Sequence, residues 1–180
     1  MIQLKKVPVG IYIAIGSALI FILLIFLLIN SLNPMKGRNV MERDFNKNKE
    51  SILIVKDYLV GFELDSATIR DTSGTMTRTL LDGSIPIEDD RVIEAIRLLL
   101  KNGYKSISKR DGCVIFKKWR RMESASGAVY SINGRTPTSS DGRASISPAI
   151  QFLTKIEQMS EDGWYYYEEN YNEWRIRNPQ

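Results

Sequence analysis

The chain has 180 residues, with 25 lysines and arginines against 21 aspartates and glutamates, a single cysteine and no histidine. Without histidine, Ser-His and Cys-His nucleophilic catalysis is excluded, and the commonest metal-binding side chain is missing. One cysteine cannot form an internal disulfide or a cysteine-rich zinc or iron–sulfur centre. The chain also has no glycine-rich nucleotide-binding motif. We therefore expect no cofactor, no bound metal and no enzymatic activity.

The segment 7–29, VPVGIYIAIGSALIFILLIFLLI, is apolar, and no charged residue lies between Lys6 and Lys36. At about 1.5 Å per residue, a helix of this length crosses a hydrocarbon core about 30 Å thick. The segment is longer than the apolar core of a cleaved signal peptide, which has about 7–15 residues. The sequence therefore predicts a single transmembrane helix over 7–29, a signal anchor that follows the short basic N-terminus 1–6.

The charges beside the predicted span give opposite indications of its orientation. Five basic residues follow it closely, whereas only Lys5 and Lys6 precede it, and this excess favours a cytoplasmic C-terminal domain. A short basic N-terminus before a first helix is instead typical of an exported domain, and long domains translocate largely regardless of charge. We favour an extracytoplasmic domain at the cell membrane and keep the cytoplasmic orientation as the alternative.

The net charge does not indicate a nucleic-acid partner. Lys5 and Lys6 precede the span and every acidic residue follows it, which leaves 23 basic against 21 acidic residues in the rest of the chain. Nucleic-acid-binding domains normally have a clear basic excess. We therefore expect a protein partner or a cell-envelope polymer, and no nucleic acid.

Residues 30–40 contain proline, glycine and asparagine and are predicted to form a linker, followed by a soluble domain over 41–180. The first helix of this domain is predicted from Met41 to about Val60. Its apolar residues recur at helical spacing: Phe45, Ile52, Val55, Leu59 and Phe62. This stripe predicts a core-facing helix, with contact to anionic lipid headgroups through its basic start as an alternative.

A second helix is marked at both of its ends. Its apolar stripe consists of Val92, Ile93, Ile96, Leu99 and Leu100. Three acidic residues, Glu88, Asp89 and Asp90, precede the stripe and predict an N-terminal cap that the helix dipole favours. Asn102 and Gly103 predict its C-terminal end.

The other segments are predicted strands, turns and one loop. Strands are predicted within 66–75 and at 104–109, 113–120 and 127–132, and a polar loop is predicted over 135–148. Residues 149–159 fit a strand or a helix, and we favour a strand because 161–163 then form a turn into the C-terminal segment. Cys113 lies in an apolar strand and is predicted to be a buried thiol. The order of elements predicts an α+β domain of two helices and a mainly antiparallel sheet, after the transmembrane helix.

The C-terminal segment 163–175, GWYYYEENYNEWR, is rich in aromatic residues. If it begins as a strand, Trp164 and Tyr166 share one face, and Tyr165 and Tyr167 share the other. A half-buried sheet would hide one pair and expose the second, and exposed rings can stack on sugars or anchor a protein partner. The candidate interaction residues here are Trp164, Tyr165, Tyr167, Tyr171 and Trp174. The alternative is a structural strand that contributes to the core.

A dense basic patch, KKWRR, precedes the acidic C-terminal region. It consists of Lys117, Lys118, Trp119, Arg120 and Arg121. These basic residues could pair with the acidic residues of the C-terminal segment across neighbouring strands. The alternative is a basic face directed at anionic lipid or at an acidic wall polymer.

Two resemblances rest on short segments. Residues 152–175, FLTKIEQMSEDGWYYYEENYNEWR, together with ESILIVKDYL at 50–59, resemble small membrane-anchored proteins of Gram-positive bacteria, a group with no assigned activity. This resemblance implies a location rather than a mechanism. Residues 128–140, AVYSINGRTPTSS, are similar to a hairpin of chitobiase-type accessory β-domains, although Asn133 replaces the usual aspartate. The second resemblance implies turn chemistry and favours an extracytoplasmic setting.

These features predict a membrane-anchored module that binds or assembles without catalysis. The first hypothesis is protein interaction at the membrane, through the aromatic segment and the basic patch. The alternative is an extracytoplasmic module that binds a glycan or a cell-wall polymer through its aromatic C-terminal segment. A catalytic role would instead require carboxylates that converge in a pocket.

Overall fold

The computed structural model describes residues 15–25, 37–64, 66–70, 74–77, 84–137, 150–177 and 179. The chain divides into two compact units, Met1–Asn33 and Pro34–Gln180. In the first unit, residues 15–25 form a helix, α1, and the other residues of the predicted span, 7–14 and 26–29, lie outside the described residues. Among the described residues, no helix has both the length and the apolar character needed to cross a membrane.

Two helices replace the single helix predicted from Met41. They are α2, Arg38–Lys47, and α3, Lys49–Gly61, so residues 38–40 of the predicted linker are helical. They meet at Asn48, whose side-chain amide donates to the Asp44 carbonyl at 2.8 Å. Such local bonds from asparagine compete with the helical ladder and explain the break. The predicted apolar stripe is confirmed, with these residues buried: Phe45, Ile52, Val55 and Leu59.

The second predicted helix is confirmed as α4, Asp90–Lys101. Its N-cap is Asp89, whose carboxylate accepts hydrogen bonds from the backbone N–H groups of Arg91 and Val92 at 2.9 and 3.3 Å. Asn102 ends the helix as predicted. Two turns of its apolar stripe, including Ile96 and Leu99, are fully buried, so α4 packs into the core as an amphipathic helix.

The second unit is an α+β domain built on an eight-stranded sheet in the order β3-β2-β1-β4-β5-β6-β8-β7. The strands are β1 Ser66–Ile69, β2 Thr75–Thr77, β3 Ser84–Pro86, β4 Ser106–Arg110, β5 Cys113–Arg121, β6 Ser124–Ser131, β7 Leu153–Gln158 and β8 Trp164–Asn170. Each described pair of neighbouring strands is antiparallel. A short helix, α5, Tyr171–Arg177, follows β8.

Most predicted strands are confirmed, and three elements were missed. The hairpin of β4 and β5 turns at Asp111 and Gly112, both with positive φ. The ambiguous segment 149–159 contains a strand, β7, as favoured. The short strands β2 and β3 and the helix α5 were not predicted. Residues 138–148 of the predicted polar loop lie outside the described residues.

The two faces of the sheet are covered differently. On one face, which we call the helix face, strand residues such as Ile107, Phe116 and Tyr166 share one core with α2, α3 and α4. The opposite face, which we call the cavity face, has a smaller buried cluster: Cys113, Ile115, Val129, Ile150, Tyr165 and Tyr167. Cys113 is buried as predicted, and burial, with the Asp111 carboxylate, raises the pKa of its thiol to about 11.

A bulge interrupts β5 near its end. Lys117 lies opposite Gly127 and Trp119 lies opposite Ser126, so Lys118 is an extra residue in the strand. One extra residue reverses the alternation of side chains between the two faces.

The bulge determines which face of the sheet each side chain of the basic patch occupies. Lys118 and Trp119 both lie on the helix face, and Arg120 returns to the cavity face. Glycine is required opposite the bulge, because a Cβ atom on Gly127 would lie 2.1 Å from the carbonyl oxygen of Phe116. Gly127 therefore permits the close backbone approach on which this arrangement depends.

Candidate ligand-binding cavity

The strand β8 buries the aromatic residues that were predicted to form an exposed rim. Trp164 and Tyr166 lie in the helix-face core and Tyr165 and Tyr167 lie in the cavity-face cluster, so the predicted alternation is confirmed. The predicted exposure of one pair is wrong, because all four side chains are buried. Helices cover the first pair, and apolar residues around β7, such as Ile156, pack against the second.

The last two aromatic candidates flank a ring outside the core. Tyr171 and Trp174, on α5, contact Phe152 with ring centroids 4.9 and 5.3 Å apart, in edge-to-face geometry. The Tyr171 backbone N–H donates to the Glu123 carbonyl at 3.1 Å, which ties α5 to the β5–β6 hairpin. Both candidate side chains are half-buried. Tyr171 and Trp174 therefore hold Phe152 in place and leave only part of their own surface for a ligand.

The basic patch divides between the two faces. Lys118 is buried and forms an ion pair with Asp44, with 2.8 Å between Nζ and Oδ1, and Trp119 packs partly against the helix-face core. Lys117 pairs with Glu169 at 2.5 Å on the cavity face, reaching across β6. The predicted pairing of basic and acidic strands is confirmed for Lys117, although β6 separates the two strands. Arg120 and Arg121 are exposed and remain candidates for binding.

A cavity of about 540 Å³ opens on the cavity face. Its floor is the sheet, with residues from β1, β4, β5, β6 and β8, and its rim is formed by residues 150–152, Tyr171 and the β5–β6 hairpin. The hairpin contributes Met122, which is 89% exposed, and the rim contributes Phe152. Both have positive φ, 47° and 58°, a backbone conformation that is unfavourable for these residue types. Such strain is found preferentially at functional sites.

The walls of the cavity are polar and have a basic excess. Their charged residues are Arg70, Arg110, Lys117 and Arg120 against Glu123 and Glu169. The pair between Lys117 and Glu169 neutralises one charge of each sign. Within the part of the chain that the structure describes, the three arginines have no carboxylate partner. The cavity is therefore suited to an anionic, hydrogen-bonding ligand.

Tyr167 lines the cavity and has an unsatisfied hydroxyl group. Its side chain is fully buried, and no described atom forms a hydrogen bond with the hydroxyl. Burial, with the charge of Glu169, raises the pKa of this hydroxyl well above its ordinary value, so it remains protonated. Buried polar groups without a partner are rare in proteins. The hydroxyl group is therefore a candidate hydrogen-bond donor to a ligand.

The arginines Arg70 and Arg110 were missed because they reach the cavity through the pairing of β1 with β4, which local sequence patterns do not show. In β4, however, Ser106, Ser108 and Arg110 alternate with buried or partly buried neighbours, and Thr68 and Arg70 repeat the pattern at β1. Two neighbouring strands with polar residues on the same face would have indicated a solvated or ligand-binding face.

No protein-family model, curated protein or solved structure matches the chain. The resemblances noted for 152–175 and 128–140 therefore stay predictions.

Proposed function

We propose that the protein is a membrane-anchored, non-catalytic binding module whose ligand occupies the cavity. The observation that supports this most directly is a 540 Å³ cavity with basic and hydroxyl-bearing walls. Pockets that bind small molecules occupy about 300–1,000 Å³. We therefore propose the cavity, rather than the aromatic segment, as the binding surface. Its polar walls favour a polar cell-envelope polymer over a protein partner.

The proposed anchor is the apolar segment 7–29, and the proposed location of the domain is outside the cytoplasm. The support is the absence of charge between Lys6 and Lys36 and the short basic N-terminus. Protease treatment of intact cells that carry a C-terminal tag tests the orientation. Cleavage on intact cells supports the proposal, whereas protection until lysis places the domain inside and overturns the envelope-polymer hypothesis.

The proposed lack of catalysis rests on the chain's own chemistry. There is no histidine, and among the described residues the acidic side chains that line the cavity are Glu123 and Glu169. Glu169 is engaged with Lys117, so it is not a free carboxylate of the kind that general acid–base catalysis uses.

Protein interaction at the membrane remains a second candidate, because two large apolar side chains are exposed near the C-terminal end of the fold. Met122 is 89% exposed at the hairpin tip and Ile176 is 77% exposed on α5. Exposed apolar side chains of this size are typical of interface contacts, although single ones are also common on ordinary surfaces.

A cavity-filling substitution tests the proposed function. Ser108→Trp places a large ring in the cavity, and Ser160→Trp makes the same change at an exposed serine outside it. The full-length proteins, in nanodiscs of neutral lipid, are tested for binding to solubilised wall polymers. We expect Ser108→Trp to abolish binding and Ser160→Trp to bind like the wild type, with equal melting temperatures. Equal binding by both variants would show that the ligand lies elsewhere.

A further inference from the structure

Building on the proposed function, we infer that the ligand is an extended polymer with phosphate groups, and that Arg70, Arg110 and Arg120 bind successive phosphates. Tyr167 donates a hydrogen bond to the same ligand at the floor of the cavity. Three observations support this: the sheet spaces the three cations apart, no described carboxylate pairs with them, and no described residue satisfies the Tyr167 hydroxyl.

The first cation belongs to a row of residues across the sheet. Ile69 pairs with Ile107, so the next position, Arg70, lies beside Ser106, and Ser106 pairs with Lys117. Neighbouring strands are about 4.8 Å apart, so Arg70 and Lys117 are separated by about 10 Å across the sheet. Because Lys117 is held by Glu169, Arg70 is the available charge of this row.

The other two cations lie on opposite sides of that row. Arg110 pairs with Cys113 at one end of β5, and Arg120 lies seven residues further along the same strand, one of which is taken up by the bulge. At about 3.3 Å per residue, Arg110 and Arg120 are about 20 Å apart along the strand direction. One phosphate ion or one monosaccharide cannot contact both. A chain with repeated negative charges can.

The donor set fits phosphate. Guanidinium groups bind phosphate oxygens in pairs through two parallel hydrogen bonds, and arginine does this better than lysine. Between the arginines the cavity presents hydroxyl groups from Ser106 and Ser108, which can donate to phosphate oxygens or accept from the hydroxyls of a polyol. The Tyr167 hydroxyl adds a donor that no described residue satisfies.

The same phosphate chemistry is available from lipid headgroups, but the shape of the site favours a polymer. The sheet forms the floor, and residues 150–152, Tyr171 and the β5–β6 hairpin stand around it as a rim. Tyr167 lies in the floor and is fully buried. A flat bilayer surface would meet the rim first, whereas a single polymer chain can enter between its walls.

The experiment measures binding of fluorescent poly(glycerol phosphate) to the full-length protein in nanodiscs of neutral lipid. We expect Arg70→Gln and Arg110→Gln each to weaken binding by about tenfold, since each removes a charged hydrogen-bond donor. Arg91→Gln is the matched control, because Arg91 is an exposed arginine outside the cavity. Tyr167→Phe should weaken binding without lowering the melting temperature. The affinity should also fall as salt is raised.

Three further probes decide the chemistry of the ligand. Polygalacturonate tests a carboxylate polymer, a neutral oligosaccharide tests an uncharged glycan, and vesicles of phosphatidylglycerol test lipid headgroups. Preference for poly(glycerol phosphate), lost in the arginine variants, supports the inference. Equal binding of polygalacturonate, or arginine-dependent binding of vesicles without binding of the soluble polymer, overturns it.

The outcomes also separate this inference from the proposed function. A neutral oligosaccharide that binds to the wild type and not to Ser108→Trp would remove the phosphate assignment while the cavity remains the binding site. Polymer binding that is equal in the wild type, Arg110→Gln and Ser108→Trp would overturn both. Unchanged affinity in Arg70→Gln and Arg110→Gln, with loss in Ser108→Trp, would overturn the inference alone.

Discussion

The two faces of the central sheet differ in whether their buried polar groups have partners. On the helix face, buried polar groups have partners: the Lys118 ammonium group pairs with Asp44, and the Tyr104 hydroxyl donates to the same carboxylate at 2.7 Å. On the cavity face, Tyr167 is buried without a described partner and Arg110 forms no ion pair with a described carboxylate. One face therefore satisfies its buried polar groups within the fold, and the other is the face on which the proposed ligand would satisfy them.

The helix-face network also joins three parts of the chain that are far apart in sequence. Lys118 lies over the Tyr104 ring at 4.4 Å and donates to the Asn102 carbonyl, and the Asn102 amide donates to Asn48 at 2.5 Å. The break between α2 and α3, the end of α4 and the bulge of β5 thus meet at one point. Satisfied networks of this kind favour a single arrangement of the elements.

The largest loss of stability is expected from substitution of Lys118, and the neighbouring Lys117 provides the comparison on the other face of the sheet. Lys118→Met removes the buried cation of the pair, leaves the partly buried Asp44 carboxylate without it and should lower the free energy of unfolding by about 3 kcal/mol. Lys117→Met removes a lysine that is 25% exposed, against 9% for Lys118, and should cost less, about 1–2 kcal/mol, because water reaches this pair more easily from the lysine side. Urea unfolding of both variants measures the difference. Equal losses would show that the two faces do not differ in this way.

The next largest loss of stability is expected at the β5 bulge, which places the side chains of the basic patch on both faces of the sheet. Gly127→Ala places a methyl group against the Phe116 carbonyl and should cost about 2 kcal/mol. Gly61→Ala, at the end of α3 with no atom within 4 Å of the added methyl, is the control and should change stability little. A stable Gly127→Ala variant with a normal bulge would contradict the requirement for glycine.

A smaller difference in stability is expected between two neighbouring tyrosines, because each substitution removes only a hydroxyl group. The Tyr166 hydroxyl donates to Glu168 at 2.6 Å and accepts from the Gly37 N–H at 3.2 Å, so Tyr166→Phe should cost about 1–2 kcal/mol. Tyr167→Phe removes a hydroxyl without partners and should leave the melting temperature unchanged or raise it slightly. Thermal unfolding of the two variants checks this. A marked loss in Tyr167→Phe would reveal a structural role for that hydroxyl.

The smallest effect is expected at the cavity rim. Met122 has φ 47° and is almost fully exposed, so Met122→Asn relieves an unfavourable backbone conformation at little cost in packing. We expect a gain of about 0.5 kcal/mol or less in unfolding free energy. Polymer binding measured on the same variant shows whether the methionine side chain takes part in recognition. A loss of stability would show that Met122 packs more closely than its exposure indicates.

Much of the fold was predictable from local patterns. The apolar stripe and acidic cap of α4, the turn between β4 and β5 and the alternation along β8 all follow from residues close together in the sequence. The break at Asn48 and the short strands β2 and β3 were missed, because none of them is marked by a strong local signal. The helix α5 was missed because its aromatic residues also suit a strand.

The candidate site was predictable only in part. Lys117 and Arg120 belong to the predicted basic patch and line the cavity, and Tyr167 lines it as a buried residue rather than an exposed one. Arg70 and Arg110 come from strands that pair across long sequence distances. Their position beside the patch depends on that pairing, which local sequence patterns do not determine.

By itself, the sequence determined the chemistry that is available and the local elements that bear it. It contains no histidine, it has an uncharged segment from 7 to 29, and it marks the capped helix that begins after Asp89. The tertiary structure alone decided which face each side chain occupies. One extra residue in β5, opposite Gly127, moves Trp119 into the core and Arg120 to the cavity, because side chains alternate along a strand and a single inserted residue reverses the order.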